Sequence, residues 1–343
     1  MLNIISRFNE HINSFHLIDS NKIAVALSGG ADSLALTLLT LQWIKKFKNR
    51  ELVALTVNHN LRKEAPAEAK LVTQMLSEHG IEHHILNWEH KETITANIQH
   101  KARIARRELL TKWCVEHDVL NLLVAHTKND IVETFFMNIF RGSGIYGLSS
   151  IPKETLVRGI RIIRPVSIFT KDELKYYLRK NRIDWIEDPS NQNERFLRVK
   201  VRKLFESKEM KAIMPDADLF LQRIVTNVQN ISRARNCIES ITAEETAKIV
   251  TSCHKGLLID QQKFCAIHPE IALNLLASSL IAVSEEHEYK PRLNSLELLY
   301  NFIRSNSSGA KTLWKCKIKI EKDAVKIQKE NGKDKLLCFK KET

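Results

Sequence analysis

Short apolar runs alternate with segments of helical periodicity through the first 125 residues of the chain. The runs at 23–27, 52–57, 81–88 and 119–125 predict strands. Apolar residues between them recur at helical spacing and predict helices over about 34–48, 67–78 and 95–117. Strands that alternate with helices are typical of a parallel sheet covered by helices on both faces. The predicted fold class is therefore α/β, with a parallel twisted sheet.

The pattern becomes mainly helical after residue 145. Residues 160–166 predict a last strand, and Thr170 to Lys180 a helix that begins with a capping box. Residues 219–249 and 272–282 predict further helices, while the alternation after Lys311 predicts a small β unit. We predict a first domain over 1–215, a mostly helical second domain with a small β unit over 216–330, and a basic flexible tail over 331–343.

Composition and charge narrow the class of protein. The chain has 343 residues, 43% of them hydrophobic, and its sequence has neither a long uncharged apolar run nor a secretory signal. We therefore expect a cytoplasmic globular protein that does not enter a membrane. Lys and Arg outnumber Asp and Glu by 53 to 40. This excess of positive charge fits either a solvated surface or a polyanionic partner such as nucleic acid.

The most compact candidate for chemistry is the sequence S-G-G-A-D-S, which spans Ser28, Gly29, Gly30, Ala31, Asp32 and Ser33. It stands between a predicted strand and a predicted helix, so its backbone N–H groups are expected to surround an anion-sized hollow. Two glycines allow close approach of a phosphate, and the Asp32 carboxylate could hold Mg²⁺ beside it.

Other polar residues follow the ends of predicted strands. His59 and His126 are expected to face the same crevice as Ser28, because ligands of parallel sheets collect beyond the carboxyl ends of the strands. Asp130 shares a helix face with His126 but could merely favour a helix N-terminus. Candidate cations are Arg103 on the long helix, Arg141 in a glycine-rich turn, and Arg195, Arg198 and Arg202 on one face of a later helix; solvated surface positions are the alternative for all of these.

These motifs together carry a resemblance. The S-G-G-A-D-S loop resembles the pyrophosphate-binding loop of the PP-loop ATP pyrophosphatases, whose fold is of the adenine nucleotide alpha hydrolase type. The later motifs narrow the resemblance to the tRNA(Ile)-lysidine synthetase family over about 1–215, with a weaker similarity near 312–330. They are V-N-H-N-L-R (57–62), Q-H-K-A-R (99–103), A-H-T-K-N-D-I-V-E-T (125–134), R-G-S-G (141–144), R-P-V (164–166) and W-I-E-D-P-S-N (185–191), followed by Arg195, Arg198 and Arg202.

The resemblance implies a specific reaction. ATP with Mg²⁺ would bind at Ser28–Ser33, with Asp32 and Asp130 as metal ligands. The wobble cytidine of a tRNA(Ile) with a CAU anticodon would be adenylated, and L-lysine would then displace AMP to form lysidine. Asp32, Arg103, His126 and Asp130 would take part in catalysis. The implied tRNA or substrate contacts are His59, Arg141, Arg195, Arg198 and Arg202. A homodimer is possible.

Two departures from the family pattern and three alternatives remain at this stage. Asn129 stands where the family commonly has Asp. The sequence ends at residue 343, which is short for family members with a second C-terminal domain, so the contacts of that domain are expected to be absent or reduced. The alternatives are a tRNA thiolase, a small-molecule synthetase and a catalytically silent tRNA-binding module. A thiolase needs reactive cysteines, whereas Cys114 is the one cysteine in the first 236 residues and lies on a predicted apolar helix side.

Overall fold

The chain folds into two compact units. A computed structural model describes residues 3–17, 21–59, 72–73, 76–89, 98–187, 197–253, 256–284 and 291–330. The first unit comprises Met1–Ser143 and Gly147–Gln229, and the second comprises Gly144–Tyr146 and Asn230–Thr343. The domain boundary drawn at residue 215 stays a prediction, and the predicted tail over 331–343 lies outside the described residues.

The first unit contains six strands and most of the helices described. Its strands are β1 (Lys22–Ala26), β2 (Glu51–Asn58), β3 (Glu82–Asn87), β4 (Asn121–Leu123), β5 (Glu154–Val157) and β6 (Ile160–Ile163). Its helices are α1 (Ile4–Asn13), α2 (Ala31–Ile44), α3 (Ile98–Glu116), α4 (Lys128–Ile139), the short α5 (Ile145–Leu148), α6 (Lys171–Lys180), α7 (Leu197–Glu206) and α8 (Lys208–Ile213). Two of these helices are divided between the units: α5 begins in the second unit and ends in the first, and α9 (Ala217–Ile249) begins in the first and ends in the second.

The six strands form one sheet in the order β3-β2-β1-β4-β6-β5. All pairs are parallel except the edge pair β5–β6. The chain runs outward from β1 through β2 to β3 and then returns to place β4 on the other side of β1. The sheet therefore has a switch point between β1 and β4, where two successive connections diverge and leave a crevice.

Side chains of β1 alternate between two hydrophobic cores. Ile23 and Val25 pack with α1, α2 and α6, whereas Ala24 and Ala26 pack with α3 residues such as Trp113. Because successive side chains of a strand point to opposite faces, β1 is buried on both sides. The predicted parallel sheet with helices on both faces is confirmed.

Two predicted boundaries in this unit were wrong by three residues each, and one strand was missed. The strand expected to reach residue 166 ends at Ile163, because Pro165 begins a single 3₁₀ turn (Pro165–Ile168) and has no N–H for a strand ladder. Helix α2 begins at Ala31 rather than at Leu34, so the end of the loop is also the first helical turn. The antiparallel edge strand β5 was not predicted.

The second unit is a five-stranded antiparallel sheet packed against helices. Its further elements are β7 (Val250–Cys253), β8 (Gly256–Asp260), α10 (Gln261–Ala266), α11 (Pro269–Ser284), α12 (Leu293–Ser305), β9 (Gly309–Leu313), β10 (Cys316–Glu321) and β11 (Ala324–Lys329). The strand order is β7-β8-β11-β10-β9. Residues of α11, α12, β10 and β11 form its core. A mainly helical region with a small β unit was predicted correctly, but β7, β8 and β9 were missed.

Membrane insertion finds no support in the described part of the chain. None of its helices combines the length and the apolar character that crossing a bilayer requires.

Candidate active site

The loop between β1 and α2 is shaped by glycine and braced by serine. Gly29 has a φ of +81°, a conformation that costs glycine little and other residues more. The Ser33 hydroxyl accepts the N–H of Ser28 at 3.1 Å and donates to the carbonyl of Gly30 at 3.0 Å. Gly30 is the N-cap of α2 and supplies no capping side chain. The first N–H groups of α2 therefore have no intrahelical partner, as an anion site at a helix N-terminus requires.

Asp32 lies in the first turn of α2 and carries an unusual carboxyl group. Burial, opposed by the ammonium of Lys171 and reinforced by the negative charge of Asp130, raises the pKa of Asp32 to about 6. Among the described residues, no hydrogen bond or ion pair holds its carboxylate. A half-buried carboxylate without a direct partner fits a divalent cation. The described residues contain no group of three or more His, Cys, Asp or Glu that could hold a metal by themselves, so ligands from a nucleotide would be needed.

Asp130 is first of all a capping residue. Its Oδ2 accepts hydrogen bonds from the Thr127 N–H at 2.9 Å and the Thr127 hydroxyl at 2.8 Å, which completes a capping box at the start of α4. Its Oδ1 lies 3.1 Å from Nζ of Lys171. Burial alone would raise the pKa of Asp130, but the Lys171 ammonium and the Thr127 N–H lower it to about 2. The carboxylate therefore stays ionised at every physiological pH.

A second buried carboxylate, Glu133, holds three cations on the next turn of α4. Nε of Arg202 donates to its Oε1 at 2.5 Å, and Nε of Arg198 lies 3.2 Å from its Oε2. Nζ of Lys171 is 3.7 Å from the same Oε1, and Arg198 also donates to the Thr134 hydroxyl at 3.0 Å. The sequence had placed Arg198 and Arg202 on a face open to phosphate. In the structure these two guanidinium groups already neutralise Glu133.

His126 stands at the end of β4 among cations. Its Nδ1 is buried and has no hydrogen-bond partner among the residues that the structure describes. Burial and the positive charges of Arg164, Arg106 and Arg103 lower the pKa of His126 to about 3, against the opposing effect of Asp130. The imidazole is therefore neutral at neutral pH, and an anion entering this region would meet several positive charges at once.

Arg106 and Arg164 form the half-buried part of this positive region. Burial, together with the charge of Arg103, lowers the pKa of Arg106 and lowers that of Arg164 to about 10. Nη1 of Arg164 donates to the Pro152 carbonyl and the Thr155 hydroxyl, while its buried Nε has no partner in the described part of the chain. The sequence had favoured Arg103, which is exposed. Burial and the charge of Arg103 disfavour the charged forms of Arg106 and Arg164, and a bound anion would compensate for both effects. The pair therefore indicates an anionic ligand.

The remaining predicted residues differ in their exposure and in their contacts. His59 follows β2, and its ring packs edge-to-face on Trp88 with 5.8 Å between centroids. Burial and then the charge of Arg106 lower the pKa of His59. Arg141 is exposed in the turn that follows α4. This turn ends at Gly142, which has a φ of +65°. Arg195 lies outside the described residues.

Asn129, which departs from the family pattern, does not face the anion site. Its Oδ1 accepts the backbone N–H of Lys171, at the first residue of α6, at 3.0 Å. This position requires a hydrogen-bond acceptor rather than a charge. The sequence had suggested that the change removes one charge from a possible metal or water-binding cluster; instead, the Asn129 side chain caps a neighbouring helix.

Sequence reasoning missed Lys171, Glu133, Arg106 and Arg164 as members of the site. Each of them lies in or beside a sequence feature that was noted for another reason. Lys171 follows the capping threonine of α6, and Glu133 belongs to the same motif as Asp130. Arg106 is adjacent in sequence to a residue opposite the apolar stripe, and Arg164 opens the R-P-V motif. Lys171 meets Glu133 through contact between α4 and α6, whereas Arg106 on α3 and Arg164 after β6 come together beside His126.

The comparisons with known proteins agree with this geometry. A family model described as a PP-loop domain matches residues 2–208. The tRNA(Ile)-lysidine synthase of Wolbachia pipientis wMel is 38% identical over 92% of this chain and 72% of its own length. That of Orientia tsutsugamushi (strain Boryong) is 36% identical over 97% of this chain and 75% of its own length. The U34-tRNA thiolase of Methanococcus maripaludis, solved with its [4Fe-4S] cluster, shares the fold at 20% identity, with a TM-score of 0.56 over 66% of this chain and 78% of its own.

The loop after β1, the switch point beside it and the matched family model define an ATP-using protein of the PP-loop class. Identity above 30% over most of the chain and more than two thirds of both relatives narrows this class further. The chain belongs to the tRNA(Ile)-lysidine synthase family. The family predicted from the sequence, the fold class and the prediction of a tRNA-modifying ligase that forms a carbon–nitrogen bond are thereby confirmed.

Proposed function

We propose that this chain ligates L-lysine to carbon 2 of the wobble cytidine in the CAU anticodon of a tRNA(Ile), with ATP and through an adenylated tRNA. The observation that carries the proposal is the state of Asp32. Its carboxylate lies beside uncapped N–H groups of α2, has no partner among the described residues, and has a pKa raised to about 6. A cation bound with nucleotide phosphates would supply the missing counter-charge.

In the adenylation step, the loop of Ser28–Ser33 binds the phosphates that leave as pyrophosphate. Its uncapped N–H groups are fixed before the ligand arrives, so they stabilise developing charge without reorganisation. Asp32 would hold Mg²⁺, with Asp130 as the second carboxylate, and the ion when bound neutralises the leaving phosphates. Arg106, Arg164 and exposed Arg103 provide the positive field for the α-phosphate, and neutral His126 can orient one of its oxygens.

In the ligation step, Asp130 and Glu133 orient the ε-ammonium group of the substrate lysine. A carboxylate with a pKa near 2 binds a cation well but is a weak base, because it releases a captured proton at once. We therefore assign Asp130 to holding the amine in position rather than to removing its proton. Asp130→Asn should raise the KM for lysine and slow ligation more than it slows adenylation.

The anticodon arm would contact one histidine and four arginines of the first unit. Exposed Arg141, His59, and Arg195, Arg198 and Arg202 are the proposed contacts. A residue that neutralises a phosphate reduces the slope of log affinity against log salt by about one. We expect this reduction for Arg141→Gln. If Arg198→Gln and Arg202→Gln keep the parental slope, these two arginines serve Glu133 rather than RNA.

The decisive experiment incubates the protein with ATP, labelled lysine and unmodified tRNA(Ile) bearing CAU. Label should enter this tRNA but not tRNA(Met), which has the same anticodon. Asp32→Asn should abolish pyrophosphate release, while Asp184→Asn, which changes an exposed carboxylate of the same unit, should not. Incorporation only with a sulfur donor would support the thiolase instead. Binding of tRNA without turnover would support a silent module. The homodimer and the cytoplasmic location stay predictions.

A further inference from the structure

Residues 185–187, here called the strap, contact both helix α6 and the loop after β1. The Trp185 ring lies under two α6 cations, with 5.8 Å from Nζ of Lys175 and 5.7 Å from Cζ of Arg179 to its centroid. Nζ of Lys175 also lies 3.6 Å from Oε1 of Glu187. Between these two anchors, Ile186 turns toward the loop. The strap thus links α6 to the loop through these contacts.

Ile186 contacts Gly29 through both its backbone and its side chain. Its N–H donates to the Gly29 carbonyl at 3.0 Å. A Cβ on Gly29 would come within 2.9 Å of Cδ1 of Ile186 and 3.2 Å of Cγ2 of Val72. A side chain at residue 29 would therefore force Ile186 to shift, in addition to adopting the positive φ that favours glycine.

The bond to the Gly29 carbonyl sets the direction of the next N–H group. The described chain contains no cis peptide bond, and in a trans peptide the carbonyl and the following N–H point in opposite directions. When Ile186 holds the Gly29 carbonyl, the Gly30 N–H must point to the opposite side of the loop. The Gly30 carbonyl is likewise held, by the Leu34 N–H at 3.0 Å and by the Ser33 hydroxyl at 3.0 Å.

The two restraints have different origins. The bonds to the Gly30 carbonyl come from the helix that the loop begins, so any loop before α2 would have them. The bond to the Gly29 carbonyl comes from a segment more than 150 positions away in the sequence. Without it, the peptide between Gly29 and Gly30 could rotate and present a carbonyl oxygen, rather than an N–H, to a phosphate.

We propose that Ile186 is a positioning residue for ATP: through the strap it fixes the Gly29–Gly30 peptide so that the Gly30 N–H faces the phosphates. The proposal rests only on the ATP-binding part of the proposed function. It gives the W-I-E sequence at 185–187 a role of its own, separate from the tRNA contacts proposed for the residues that follow it. It also explains why a large aliphatic residue stands directly over a glycine of a phosphate loop.

The test measures ATP binding to the full chain by equilibrium dialysis, without tRNA or lysine. Ile186→Ala removes the side chain over Gly29, and Ile186→Pro removes the N–H while keeping apolar bulk. Ile183→Ala is the matched control, since Ile183 packs against the same core while its N–H bonds to the Leu178 carbonyl. Circular dichroism and thermal unfolding establish that each variant is folded.

We expect Ile186→Pro to weaken ATP binding about tenfold, because one hydrogen bond to a charged phosphate is lost. Ile186→Ala should weaken it less, and Ile183→Ala should leave it unchanged. In the complete reaction, the KM for ATP should rise while the KM for lysine stays constant. Unchanged ATP affinity in folded Ile186→Pro, or an equal loss in Ile183→Ala, would overturn the proposal. Normal ATP binding without lysidine formation in the parent would instead refute the proposed function alone.

Discussion

The ammonium of Lys171 lies 3.1 Å from Oδ1 of Asp130, and both side chains are largely buried. The same ammonium is 3.7 Å from Oε1 of Glu133. One lysine thus balances two carboxylates on consecutive turns of α4. This pairing connects the first turn of α6 with the acidic side of the candidate active site, so the charge of Lys171 affects both stability and chemistry.

Replacing Lys171 by Met should destabilise the protein. Two buried carboxylates would lose a shared counter-ion, and breaking a buried pair in this way costs about 3 kcal/mol. Urea unfolding at pH 7 measures the difference. Lys180→Met at the exposed end of α6 is the control and should have little effect. An equal effect of both substitutions would mean that the Lys171 contacts contribute no net stability.

The cost of Lys171→Met should depend on pH in a defined direction. Asp130 has a folded-state pKa of about 2, below its ordinary value of 3.8. A lowered carboxyl pKa contributes stability that is complete above the unfolded-state value and is lost as pH falls through the folded one. The difference between parent and variant should therefore shrink as the pH falls below 3.8 toward 2. A difference that grows on acidification would contradict the assignment.

Asn129 should tolerate replacement by another acceptor but not by an apolar side chain. Asn129→Ala removes the bond to the Lys171 N–H and should cost about 1 kcal/mol of stability. Asn129→Asp keeps an acceptor and adds a negative charge at the N-terminus of α6, which is favourable there. Thermal unfolding and the rate of pyrophosphate release measure both effects. Loss of activity in Asn129→Asp comparable to that in Asn129→Ala would show that the amide group itself is needed.

His126 should make the protein sensitive to mild acid. Burial among cations lowers its pKa to about 3, whereas its unfolded-state value is 6.5. The folded state therefore binds fewer protons between these values, so stability falls as pH falls from 6.5 toward 3. His126→Gln should lose less stability than the parent between pH 6.5 and 4.5. Exposed His79→Gln serves as the control and should follow the parent curve.

Cys114 should be chemically inert in the folded protein. Its side chain is fully buried, and burial raises the pKa of its thiol to about 12. The reactive species is the thiolate, so iodoacetamide at pH 8 should label exposed Cys237 and leave Cys114 unmodified by mass spectrometry. Cys114→Ala should retain lysidine formation. Rapid labelling of Cys114, together with loss of activity in Cys114→Ala, would revive the sulfur-transfer alternative.

The sequence predicted the parts of the fold that depend on local pattern. The apolar run at 23–27 and the capping box at Thr170 both have local causes, and both are present in the structure. Strand β7 was missed because its residues are mostly polar or exposed, and it owes its conformation to pairing with β8. The ion pairs of Arg198 and Arg202 with Glu133 were missed for a similar reason. Residues more than sixty positions apart meet there, and helical periodicity describes only one helix at a time.

The first turns of α4 and α6 complete each other's hydrogen bonding. The Lys128 N–H donates to the Phe169 carbonyl at 2.8 Å, and the Lys171 N–H donates to Asn129 at 3.0 Å. Since each helix supplies an acceptor for an N–H that the other leaves unpaired, neither start can fray without exposing the other. The amides of Lys128 and Lys171 should consequently have similar protection factors in hydrogen–deuterium exchange, as two ends of one opening unit.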